Sequence, residues 1–264
     1  MRILKRALPL WGAFFVVFSL PVYSQCGSDL ALEPVTVAYV YDGDTVRLSD
    51  GRHVRLIGLN APEVAKNGAG EPFSDAAAAR LEALLQRGDV FLALGEEPQD
   101  HYQRWLGYLY VNQQLVAEQL IREGLAFHIA LPPNVQFLDC LKQAERDAAK
   151  AARGLWRTFP WRDVTQLSLR DVGFKLVKGR VSLVKAVRTG WILELDGLLA
   201  LKISRSIGDD LWVGGDINAL EGKLVYVRGW VRPKRSSAPS HYLPWSMTLS
   251  HKSHILFSAL GLVE

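Results

Sequence analysis

Tyr41-Asp42-Gly43-Asp44-Thr45-Val46 sets two carboxylates on either side of a glycine, where an apolar strand pattern turns back on itself. Nine residues on, Arg55-Leu56-Ile57-Gly58-Leu59-Asn60-Ala61-Pro62-Glu63 delivers a guanidinium, a polar turn and a glutamate. Carboxylate and carbonyl oxygens held out at a strand end suit a hard divalent cation. An arginine fork offsets the charge that grows on equatorial oxygens when water attacks a phosphate ester in line. Arginine suits this better than lysine, because it presents a planar pair of donors and stays charged at any working pH. Carboxylates beside a guanidinium are what a metal-assisted attack on a phosphate ester requires. Each residue also has a plainer reading. Asp-Gly is a common turn with solvated acids, a strand arginine carries its charge to water, and Glu63 is a loop-rim charge.

Strands must hold such groups at one end. Residues 35–41 are a β-rich run ending at Asp42-Gly43, residues 45–48 alternate as a half-buried strand, and Asp50-Gly51 turns into a returning strand at 53–59. Residues 60–73 form a loop rich in Asn, Gly and Pro, long enough to be functional. Ser74 is the expected N-cap of a helix to about Gln86, with Gly88 just past its end. Strands follow at 90–94 and 103–111, then a short helix at 115–123 closed by Gly124 and a third helix at 135–152. Five strands interleaved with three helices predict an α+β module built on a small barrel.

The N-terminus is of another kind. Met1 to Arg6 is basic, Ala7 to Leu20 is almost wholly apolar, and Val22-Tyr23-Ser24 offers a small-residue cleavage site. Residues 1–24 therefore read as a secretory signal peptide, implying a periplasmic or secreted protein. An uncleaved anchor is the alternative, against which Pro21 and the short apolar core argue. Cys26 and Cys140 are the only cysteines, and in an exported protein a disulfide between them is plausible. Charge is unevenly spread. Residues 25–160 hold 13 Lys/Arg against 18 Asp/Glu, a net of −5, whereas residues 161–264 hold 15 against 9, a net of +6. An acidic half joined to a basic half suggests that the second half meets a polyanion.

Ordered along residues 35–157 are Asp42-Gly43-Asp44-Thr45, Arg55-Leu56-Ile57-Gly58-Leu59, Ala61-Pro62-Glu63, Tyr102-Gln103-Arg104-Trp105-Leu106-Gly107-Tyr108, Leu120 to Ala126, and Ala151 to Trp156. In this order and spacing they resemble the staphylococcal nuclease-like (thermonuclease) domains. The resemblance implies an OB-type five-stranded barrel with three helices, carrying a metal-dependent phosphodiesterase site, most often loaded with calcium. It implies Asp44 as a direct ligand with Asp42 supporting it from behind, the Ala61 backbone carbonyl as a further ligand, Arg55 and Arg104 as phosphate clamps, and Glu63 as general base. His101 and Tyr102 would face the substrate, His101 replacing the lysine often found there. Asn60 departs from the pattern, because the family has Asp as a second carboxylate ligand. An amide oxygen can coordinate calcium but brings no charge. The tyrosine pair expected after the Gly124-Leu125-Ala126 segment is also missing. Phe127 or His128 could stack a base instead, although a core Phe127 is the plainer reading.

Beyond a linker expected at 158–170, strands recur at 178–187, 191–195, 199–203, 222–231 and 245–249, with a non-strand segment between the third and fourth. That spacing predicts a second OB-like barrel over 171–264. Trp191, Trp212, Tyr226, Trp230, Tyr242 and Trp245 interleave there with Lys178, Arg180, Lys185, Arg188, Arg228, Arg232, Lys234 and Arg235. Aromatic platforms among cations are how such modules hold single-stranded DNA or RNA. The alternative is that the aromatics form a core and the cations a solvated face. The chain as a whole is thus expected to be an exported nuclease holding its substrate with a basic module. A binding protein whose first barrel has lost turnover, or an envelope scaffold, is the competing expectation.

Overall fold

The computed structural model describes residues 26–27, 30–64, 70–158, 160–211, 216–237, 239 and 242–257. The expected signal peptide and Trp212 lie outside the described residues. Among those described, no helix is long and apolar enough to cross a membrane.

The first barrel closes on a bent strand. β1 (Glu33–Val35) and β2 (Val37–Val40) are separated by Thr36 alone, so one stretch of chain pairs on both sides. β2 pairs with β3 (Thr45–Leu48), which pairs with β4 (His53–Leu56), and then comes β5 (Leu59–Asn60). After α1 (Ser74–Leu85), β6 (Val90–Gln99) pairs back onto β1, and β7 (Trp105–Val111) lies antiparallel to β6 and parallel to β4. The ring is the OB strand order, with a helix between the third and fourth strands of the barrel. Val46, Val54, Leu59, Leu81, Leu92 and Leu115 fill it with almost no exposure. The helix starts one position away from the sequence reading. Phe73, at φ 70°, is the N-cap and makes no side-chain cap bond, while Ser74 is buried as the first helical residue.

β8 (Gln114–Leu115) leads into α2 (Val116–Arg122), and β9 (Phe127–His128) pairs with β5. α3 (Leu138–Lys150) begins three residues later than its apolar pattern suggests. Gly124, at φ +73°, lets the turn after α2 meet the turn after α3. A Cβ there would stand 2.3 Å from the Arg153 carbonyl oxygen, and the Gly124 carbonyl accepts the Leu155 N–H at 2.8 Å.

Residues 158–170, expected as a linker, are packed. β10 (Trp161–Asp163) runs parallel to β11 (Gly173–Val187), and Trp161 and Val164 are buried. β11, β12 (Gly190–Leu195) and β13 (Leu199–Ser204) form a meander followed by α4 (Arg205–Leu211). β14 (Leu224–Pro233) pairs with β11, β15 (Trp245–Thr248) pairs with β14 and runs parallel to β13, and β16 (Ile255–Leu256) adds to β14. This ring repeats the strand order of the first barrel, down to the parallel third and fifth strands and the intervening helix.

The barrels share an interface. Ala148, Trp156, Trp161 and Leu176 form one buried cluster with Phe127, Phe174, Tyr226 and Leu256 packed against it. Phe127 stands edge-on to Trp156, and Phe174 edge-on to Trp230. The core reading of Phe127 therefore holds, Tyr226 is an interface residue rather than a free platform, and Trp230 packs on Phe174 of its own barrel. Arg228, expected among the exposed cations that hold nucleic acid or else form a solvated face, is instead 2 % exposed and ion-paired with Glu145 of α3 at 2.8 Å.

Cys26 and Cys140 are joined in a disulfide across 114 residues of sequence. The Cys26 N–H donates to Glu118, which also pairs with Arg122. Cys26, Glu118 and Cys140 are close enough together to suggest a metal cluster, but the bridge and these bonds account for them. Closing so long a loop restricts the unfolded chain, so Cys26→Ser/Cys140→Ser is expected to cost about 2–5 kcal/mol. Denaturant unfolding of oxidised protein and double variant checks this. Equal midpoints would show that the bridge contributes nothing.

Candidate active site

Asp44 is the buried centre of the site, 5 % exposed at the turn that feeds β3. The Asp42 carboxylate accepts the Asp44 N–H at 2.9 Å and shapes that turn. Between them a Cβ on Gly43 would fall 2.6 Å from the Cβ atoms of both Ala61 and Ala77. Close approach of α1 and the 59–61 segment requires the glycine, and the same approach delivers Ala61 to Asp44. The Ala61 N–H donates to Asp44 Oδ2 at 2.7 Å, and Thr45 Oγ1 donates to Oδ1 at 3.1 Å.

Thr45 lies opposite Arg55 in the β3–β4 ladder, which aims the arginine at the same turn. Arg55 Nη1 is 2.5 Å from Asp44 Oδ2. Its Nη2 donates to Asn60 Oδ1 at 3.1 Å, and Asn60 Nδ2 donates to the Ala61 carbonyl at 3.3 Å. Asp44, Arg55, Asn60 and Ala61 are thus one connected polar network, supported from behind by Asp42. Burial dominates its electrostatics. It pushes the Asp44 carboxyl up to about 7, against the pull of the adjacent Arg55 guanidinium.

A resident cation can be weighed against this donor set. One buried carboxylate, one amide oxygen and one backbone carbonyl are hard oxygen ligands of the type calcium takes. A carboxylate that burial keeps from ionising fully is a group that a cation would relieve. The set fits a hard divalent ion, with one negative charge in place of two. Among the described residues no cluster of three or more His, Cys, Asp or Glu adds to it here.

The other expected site residues are less tightly gathered. Parallel pairing of β4 and β7 sets Val54 opposite Trp105, so Arg104 enters beside the strand that carries Arg55. Its guanidinium pairs with Asp100 at 2.8 Å and lies over the Tyr102 ring at 5.6 Å. Asp100 also accepts the N–H groups of Tyr102 and Arg104 and is held below the usual carboxylate range. Burial alone would raise it, and those bonds outweigh burial. The His101 and Tyr102 rings lie tilted against each other with centroids 3.8 Å apart, and Tyr102 is 70 % exposed, an open aromatic rim. Glu63 is exposed, and its backbone is fixed. Its N–H donates to Glu71 at 3.0 Å, and its carbonyl accepts the Glu71 N–H at 3.0 Å. Thr45 and Glu71 are contacts that the sequence reading did not single out. Thr45 stood in plain view inside Asp42-Gly43-Asp44-Thr45, whereas nothing in the loop pattern marks Glu71.

Beside Asn60 and Pro62 a groove of about 520 Å³ opens between the barrels, walled by Glu71, Phe127, Trp161 and Lys175 among others. The second barrel therefore reaches the edge of the site.

The profile described as Staphylococcal nuclease homologue matches residues 53–158. The match takes in Arg55, Asn60, Glu63 and Arg104 but stops before the second barrel. The chain is 33 % identical over 138 residues to the thermonuclease of Staphylococcus intermedius, covering 51 % of this chain and 82 % of that protein. It is 30 % identical over 167 residues to the thermonuclease of Staphylococcus hyicus, covering 59 % of this chain and 99 % of that protein. It is also 30 % identical over 128 residues to endonuclease YncB of Bacillus subtilis (strain 168), covering 46 % and 61 % of the two chains. With this barrel, this polar network and thermonuclease relatives matched over most of their length, the chain belongs to the staphylococcal nuclease family.

Proposed function

We propose that the protein is an exported, metal-dependent nuclease that hydrolyses phosphodiester bonds of DNA or RNA. A signal peptide at 1–24, a nuclease unit at 25–157 and a basic nucleic-acid-holding unit at 171–264 would divide the work. The observation that carries the reading is the buried Asp44 carboxylate, locked to Arg55 and Ala61 at the mouth of a nuclease-family barrel. Asp44, Asn60 and the Ala61 carbonyl would hold the cation, calcium by the hard oxygen character of these donors, and when bound it would supply charge for the phosphate and acidify water. Arg55, whose fork is held by Asp44 and Asn60, would exchange those oxygens for the phosphate's once a cation takes them. Arg104 adds a second cation by exchanging Asp100 for substrate. Glu63, exposed at the loop neck, takes the proton of the attacking water. His101 and Tyr102 form a rim on which a base can stack.

Cleavage of single-stranded DNA by the mature protein tests this, with calcium, with EDTA, and as Glu63→Ala. Calcium-dependent products that vanish in the other two arms are expected. If no metal supports cleavage while binding persists, the protein is a nucleic-acid-binding member without turnover, and the enzyme reading is wrong.

Asn60 sharpens the cation assignment. Its Oδ1 already faces Arg55 Nη2, so an aspartate there keeps a partner while restoring the missing charge. Ligand charge tunes calcium affinity strongly, and Asn60→Asp is expected to tighten it roughly tenfold. Calorimetric titration of calcium reads this directly, and unchanged affinity would remove Asn60 from the ligand set.

A further inference from the structure

From the contacts between the barrels we infer that Lys175 and Glu71 are positioning residues for the reaction. Through them the second barrel holds the loop neck that carries Glu63. The inference rests on Glu63 acting as the base, as proposed above.

Glu63 follows the 59–61 segment and lies eight residues before Glu71. Across that neck Glu63 and Glu71 bond reciprocally. The Glu71 N–H reaches the Glu63 carbonyl, and Glu71 Oε2 takes the Glu63 N–H, each at 3.0 Å. The Glu71 carbonyl then accepts the Ser74 N–H at the start of α1. One carboxylate oxygen of Glu71 is thus spent on the Glu63 backbone, and the other is taken by a residue 104 positions away. Lys175 Nζ, on β11 of the second barrel, donates to Glu71 Oε1 at 2.8 Å and to the Phe174 carbonyl at 3.1 Å.

That arrangement differs from an ordinary surface ion pair. The Lys175 side chain is only 20 % exposed, and Phe174 beside it is anchored on Trp230 and near Phe127. The Glu71 side chain is 41 % exposed, but the lysine springs from between Phe174 and Leu176 of the inter-barrel cluster, and its second bond, to the Phe174 carbonyl, tethers the ammonium. Without it, Glu71 is drawn toward water and is freer to release the Glu63 N–H. Among the described residues, it is the backbone bonds to Glu71 that hold Glu63 in place. The position of the general base then depends on the second barrel, a task apart from holding nucleic acid.

The test uses the full mature chain. Lys175→Met keeps the aliphatic stem and removes the ammonium, and Lys175→Arg keeps a cation in reach of Glu71. Lys175→Met is expected to lower kcat about tenfold or more with KM and calcium affinity within twofold, and Lys175→Arg to recover most of it. In a Glu63→Gln background, Lys175→Met should cause little further loss, since it acts through that residue. An unchanged kcat in Lys175→Met overturns the inference while leaving the nuclease reading intact. So does an equal fold-loss in both backgrounds. Full activity in Glu63→Gln alone overturns the base assignment, and this inference with it.

Discussion

Asp44→Asn is expected to abolish measurable calcium binding near neutral pH and to lower turnover by about a thousandfold or more. A Lewis acid on a phosphoryl oxygen contributes several kcal/mol, and each 1.36 kcal/mol is tenfold in rate. Asp44 is the one buried carboxylate of the network, so no neighbour replaces its charge. The variant should also expose a pH signature. Burial raises the folded Asp44 from the ordinary carboxylate value to about 7, so between pH 4 and 7 the native state holds a proton that the unfolded chain has released. More protons bound in the native state means that stability falls as pH rises. Wild-type stability without metal should therefore decline relative to Asp44→Asn by about 1.4 kcal/mol per pH unit across that window, and level off above it. Calcium must displace the same proton, so below pH 7 its apparent affinity should fall roughly tenfold per unit. Denaturant unfolding at several pH values, with calorimetry alongside, reads both slopes. A flat difference between the two proteins from pH 4 to 8 would show that Asp44 ionises freely and is not the buried ligand described here.

Local geometry was the legible part of this molecule. The alternation at 45–48 and 53–56, and the turns between them, place Asp44, Arg55, Asn60 and Ala61 in one network, because adjacent antiparallel strands need only short-range rules. The second barrel's strands follow from the same period-two pattern. What the sequence concealed are partners. Arg228 sits in an alternating strand among cations and reads as solvated, yet its face of β14 is turned to α3. Periodicity says that a face is polar or apolar, not what covers it. Lys175 and Glu71, or Arg228 and Glu145, are 104 and 83 residues apart, and no local signal links them. Residues 158–170 read as a linker for want of periodicity. Trp161 buries itself there through a three-residue parallel strand, too short to show a period, and Val164 through the turn that follows it. Asn60 shows the same limit at the site. Its type announces a missing charge, but only the fold shows that its oxygen is already held by Arg55.

Arg228→Met should cost about 3–5 kcal/mol, because it strands a carboxylate rather than merely losing a contact. Arg228 and Glu145 are 2 % and 1 % exposed as side chains. Arg228 Nη1 lies 2.8 Å from both Glu145 oxygens and donates to the His128 carbonyl at 2.8 Å, while the His128 N–H donates to Glu145. His254 accepts the Ala130 N–H nearby, and burial, with Arg228 adding repulsion, pushes its imidazole down to about 3. The histidines around the pair are thus held neutral, and neither can replace the lost charge. In a chain of this size the loss should lower Tm by roughly 10 °C. Adding Glu145→Leu removes the stranded charge and should restore most of the stability, since apolar replacement of both partners is often near neutral. The site should feel the first change too. The same interface carries Phe174 and Lys175, so Arg228→Met should loosen the hold on Glu71 and depress kcat at temperatures where the protein is still folded. A Tm within 2 °C of wild type for Arg228→Met would mean that the pair is hydrated in solution. The barrels would then be hinged rather than fused, and Lys175 would have no fixed base from which to reach the Glu63 loop.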